Sequence, residues 1–135
     1  MEERPLWATL GVISAGGILG SLARYGISTA FGPAPAGFAW ATFLINVSGC
    51  LLIGALMAAI TEVWQAHPLT RPFLGIGVLG GYTTFSTYAV DAQRAFQDGQ
   101  ARTALLYLGL TPACALIAVF AGTRATRRLT GRARS

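Results

Sequence analysis

Between Gly75 and Tyr88 the chain reads GIGVLGGYTTFSTY. It belongs to an apolar, membrane-length segment, yet it is a poor continuous helix. Gly75, Gly77, Gly80 and Gly81 each disfavour helix by roughly 1 kcal/mol relative to Ala. Thr83, Thr84, Ser86 and Thr87 then place four hydroxyls within five residues. In hydrocarbon, broken backbone survives only where protein buries it or where it lines a wet cavity. The stretch therefore predicts a discontinuous membrane helix. Its break presents main-chain groups to something small and polar, and the other segments enclose it.

Composition supports the membrane setting. The chain is 53% hydrophobic and 11% charged, against about 25% charged in soluble domains. Its 135 residues leave no room for a second domain. The short polar start, MEERP, is not a basic leader region, so no cleaved signal is expected. All ten basic residues are Arg, and Arg124, Arg127, Arg128, Arg132 and Arg134 lie near the C-terminus. Such a group beside a membrane helix suits anionic headgroups or orientation, not nucleic acid.

A span needs about 20 predominantly apolar residues. Four are expected, at about 6–24, 38–61, 73–90 and 103–122, followed by a basic tail over 123–135. The first carries Gly16, Gly17 and Gly20, a small-residue surface for close helix contact. FGPAPAG, residues 31–37, reads as a turn-rich linker. Residues 62–72, with Pro68 and Pro72, and residues 91–102 read as loops. Pro112 is a candidate kink in the fourth span.

Four spans put both termini on one side of the membrane. Without the tail, Arg4 and Arg71 on that side face Arg24, Arg94 and Arg102 on the other. That near balance permits insertion in both orientations, and the tail favours cytoplasmic termini if one orientation dominates.

The polar positions inside the spans each have a plain reading. Ser and Thr bond back to carbonyls of the preceding turn, and Cys50 and Cys114 are small buried residues. His67, alone in a loop, has no companion ligand. Asn46 is harder to dismiss, because a mid-bilayer amide must find a partner; helix–helix bonding and a polar path are both open. Thr42, Asn46 and Gly49 share a face, as do Tyr107, Thr111 and Ala115. Phe85 and Tyr88 are also on one face, as packing or as ring edges beside donors. Together these groups suit a small anion.

Other activities lack their residues. No carboxylate is expected mid-span, which disfavours a proton-coupled cation exporter or an acidic cation pore. GVLGGYTT lacks the Lys of a phosphate-binding loop, and GxSxG is absent, so no enzyme is indicated. A small exporter and a non-transporting helper subunit stand as alternatives.

Three runs, GGILGSLARY, TFLINVSGCLLIG and GGYTTFSTY, occur in the same order as in one family. The chain resembles the Fluc fluoride-channel family, also called CrcB, across all four spans. The resemblance implies an all-α membrane protein with four transmembrane helices, the third broken, forming an antiparallel dual-topology homodimer with two pores. It implies passive fluoride passage, selective over chloride and driven outward across the inner (plasma) membrane by the potential.

Residue by residue, Asn46 matches the pore asparagine and Phe85 the first aromatic-box ring. Tyr88 stands at the second ring position, where the family commonly has Phe; its phenol can bond the ion or a neighbour. Tyr107 and Thr111 match the hydroxyl track, which Ala115 shortens. Arg24 matches a vestibule arginine. The backbone carbonyls of Gly80 and Thr83 match the ligands of one structural sodium ion on the dimer axis.

Overall fold

Long runs with few charges leave helix as the way to pair every backbone group in a bilayer. A computed structural model describes residues 5–32, 37–62 and 67–133, and every regular element among them is helical. The helices are α1 (Leu6–Phe31), α2 (Trp40–Glu62), α3 (Gly80–Tyr82), α4 (Ser86–Gln97) and α5 (Ala101–Ala133), with a π-wound stretch, Arg71–Leu79, leading into α3. Three helical segments, Leu6–Phe31, Trp40–Glu62 and Ala101–Gly131, are long and apolar enough to cross a membrane. The third expected crossing is in two pieces. Its first part runs from the π stretch through α3, its second is α4, and Thr83–Phe85 separate them.

The glycines of this segment do not form the break. Two of them, Gly77 and Gly81, serve contact with α1 instead. A Cβ on Gly77 would lie 2.9 Å from the Ile13 carbonyl oxygen, and one on Gly81 would lie 2.5 Å from that of Gly17. Reciprocally, a Cβ on Gly16 would lie 2.5 Å from the Phe73 carbonyl, and one on Gly20 would overlap that of Val78. Small residues on both partners thus let α1 lie directly against the first half of the broken segment. The second close pair is α2 with α5, where Cβ atoms on Gly54 and Gly122 would overlap the carbonyls of Val119 and Leu51.

Several expected boundaries move. Helix α1 continues past Arg24 to Phe31. The loop expected over 91–102 is mostly helix: α4 runs to Gln97, and Gly99 makes the turn with φ of 76°. Asp91 therefore sits in the second turn of a helix. Pro72 lies in the first turn of the π stretch, where its missing N–H has no helical partner to lose. Residues 63–66 of that loop and 33–36 of the linker lie outside the described residues. Helix α5 runs through Pro112 and into the basic tail as far as Ala133, 33 residues in all. That is about 50 Å, well beyond a hydrocarbon core of about 30 Å. At its far end Arg127 Nε pairs with Glu62 Oε1 of α2 at 2.7 Å.

Candidate functional site

The site is built where the third segment breaks. Thr83 leaves helical geometry, with φ of −80° and ψ of 156°. The Asn46 side chain on α2 bridges the gap: Nδ2 donates to the Thr84 carbonyl at 2.9 Å, and Oδ1 accepts from the Thr84 N–H at 2.8 Å. One amide replaces the helical partners of both groups. The Thr84 hydroxyl accepts from the Thr87 N–H at 3.2 Å and so caps α4. Gly49, one turn from Asn46, admits the break, since a Cβ there would overlap the Thr83 methyl.

These captures release two carbonyls. In an unbroken helix the Thr84 N–H would pair with the Gly80 carbonyl, and the Thr87 N–H with that of Thr83. Both N–H groups are bonded to side chains instead. The Gly81 carbonyl, by contrast, is covered by Ser21 Oγ at 3.4 Å and Arg24 Nε at 3.2 Å. Among the described residues no cluster of three His, Cys, Asp or Glu could hold a metal. The chemistry at Gly80 and Thr83 is that of carbonyl oxygen, which suits a hard monovalent cation.

Beside the break lies a groove of about 290 Å³, lined by Asn46, Cys50, Ile53, Thr83, Thr84, Phe85, Tyr88, Thr111, Pro112 and Ala115. None of these residues is charged. Thr111 is 4% exposed, and its hydroxyl has no hydrogen-bond partner. Of the two Asn46 amide hydrogens, Thr84 uses one, leaving a second N–H on a residue of the groove wall. The Phe85 and Tyr88 rings lie 5.7 Å apart at 54°, and Phe85 is 78% exposed on the single chain.

The expected residues do not all converge. Asn46, Phe85, Tyr88 and Thr111 share the groove with Thr83. Tyr107 stands behind it, fully buried, its ring 5.2 Å from that of Tyr88. Its hydroxyl donates to Asp91 Oδ2 at 3.3 Å. The Tyr88 phenol donates to the Leu108 carbonyl at 2.6 Å, so of its two open partners the structure shows a neighbour. Arg24 is half-buried and bonds the Gly81 carbonyl, beside the break.

Sequence reasoning missed Asp91, placed in a loop by its polar neighbours. An i, i+4 reading of Thr87, Asp91 and Ala95 would have put it on a helix face. These three line a second cavity of about 550 Å³ with Thr42, Arg94 and Asp98. The Ser48–Tyr82 hydroxyl pair at 2.8 Å was also missed, and joins residues too distant for spacing to reveal.

Apolar helices around a broken segment, with an uncharged groove bearing unused donors, define a multi-pass α-helical membrane protein with a polar site among its helices. Residues 11–123 match the family model described as CrcB-like protein, Camphor Resistance (CrcB), and the chain belongs to that family. It is similar to Fluoride-specific ion channel FluC 1 of Streptomyces coelicolor, at 52% identity over 94% of this chain and 85% of the relative. It is 50% identical to Fluoride-specific ion channel FluC 2 of Nocardia farcinica, over 94% and 91% of the two chains. A further relative, Fluoride-specific ion channel FluC 2 of Thermobifida fusca, is 49% identical over 94% of each.

Proposed function

We propose that this protein is a fluoride-selective channel whose ion passes through the groove at the break. The relatives' names supply the ion, and one observation carries the reading onto this chain: the Thr111 hydroxyl is buried, unpartnered and in the groove wall. A buried donor left unpaired costs about 1–3 kcal/mol, which an anion in the groove would offset. Fluoride is small and strongly hydrated, so a pore must replace its water with close donors. Thr111 O–H, the spare Asn46 N–H and the positive ring edges of Phe85 and Tyr88 supply them. The groove has no fixed positive charge to trap the ion. Tyr107, its proton held by Asp91, acts by backing the Tyr88 ring. Arg24 braces the break and adds positive potential near the entry.

The functional unit is an antiparallel homodimer with both orientations in the inner (plasma) membrane. The exposure of Phe85 supports a second copy closing the groove. The Gly80 and Thr83 carbonyls of both copies would hold one sodium ion at the centre, supplying a fixed charge that holds the broken segments together. Transport is passive, and a potential negative inside drives fluoride out.

Purified protein in liposomes, with a potassium gradient and valinomycin, should release fluoride to an electrode and retain chloride. Equal release of both anions rejects selectivity, and silence rejects the channel in favour of a helper subunit. Asp91, bonded to a buried tyrosine, favours a second reading, a proton-coupled cation exporter. Fluoride release driven by potential alone, with no pH gradient, rejects that reading.

A further inference from the structure

Pro112 lines the groove from within α5. Having no N–H, it cannot bond the carbonyl four residues back, which is that of Leu108. That carbonyl is the one the Tyr88 phenol reaches, at 2.6 Å. The extra oxygen of Tyr88 thus meets a vacancy made by a proline on another helix. Thr111 lies three residues after Leu108, a spacing at which a Thr hydroxyl can bond back to the carbonyl. It makes no such bond.

We infer that Tyr88 is a positioning residue: by occupying the carbonyl that Pro112 orphans, its phenol keeps the Thr111 hydroxyl free to donate into the groove. The same bond ties the Tyr88 ring to α5, beside the ring of Tyr107. The phenol proton is spent on the protein, so Tyr88 offers an anion its ring edge and not its O–H. The bonding half of this inference stands on the structure alone. The transport half rests on the reading of the groove as a fluoride path.

Two measurements separate these halves. The first is a thermal-melting cycle of Y88F, P112A and the double variant in detergent, which needs no transport. Tyr88→Phe keeps the ring and removes only the oxygen, so it should lower the melting temperature by about 2–4 °C. Pro112→Ala restores a backbone N–H to Leu108, and in that background the drop should be less than half as large. An equal drop in both backgrounds, or none in either, overturns the pairing.

The second is fluoride flux from liposomes. Y88F should slow flux roughly tenfold, as loss of one well-placed donor does. P112A should restore most of it, because Leu108 no longer competes for Thr111. Adding Y88F to T111V should slow flux no further than T111V alone. Full flux in Y88F, or additive losses when Y88F and T111V are combined, overturns the positioning role. A native chain that passes no fluoride sinks the channel reading and the transport half together, while the melting cycle still decides the pairing.

Discussion

Thr111 and Asn46 are both buried polar residues, yet they predict opposite signatures. The Thr111 hydroxyl bonds nothing in the protein. Thr111→Val should therefore leave the melting temperature level or higher while slowing fluoride flux roughly tenfold. Asn46 carries two bonds to Thr84. Asn46→Ala should cost about 1–3 kcal/mol of stability and slow flux as well, measured by detergent melting and liposome efflux. A Thr111 variant that lost stability instead would mean its hydroxyl is structural. The residue types of this site were legible in the sequence, because an amide, hydroxyls and aromatics stand out in an apolar chain. Their partners were not. Nothing in the spacing ties Asn46 to Thr84 or Tyr107 to Asp91, since those bonds depend on which helices lie together.

At the scale of elements, the glycine-rich run pointed to the right segment for an incomplete reason. Low helix propensity suggested that glycine would break it, yet the break comes after the glycines, at Thr83–Phe85. There side chains take over backbone hydrogen bonds, and the glycines allow α1 to approach. Gly20→Val tests this. Its side chain would overlap the Val78 carbonyl, and backbone cannot yield as a flexible side chain does. The substitution should destabilise by at least about 1–3 kcal/mol and lower the melting temperature. Gly11→Ala, at a position with nothing nearby, should not. The ends of α4 and α5 were misread because charged residues look like loop, whereas both helices continue through them.

For the whole molecule, orientation depends on few charges. Arg124, Arg127 and Arg128 are on the described part of the tail. Replacing all three with Gln should shift insertion toward equal numbers of both orientations, scored by labelling cysteines at each end in intact cells. Little stability should be lost, because the Arg127–Glu62 pair is solvent-exposed. The length of α5 has a consequence of its own. In an antiparallel pair, each compartment would face one arginine-bearing end of α5. An ion arriving from either side would meet the same landscape, and currents would be free of rectification. The conductor would have no preferred direction, and only the gradient across it would decide which way the halide flows.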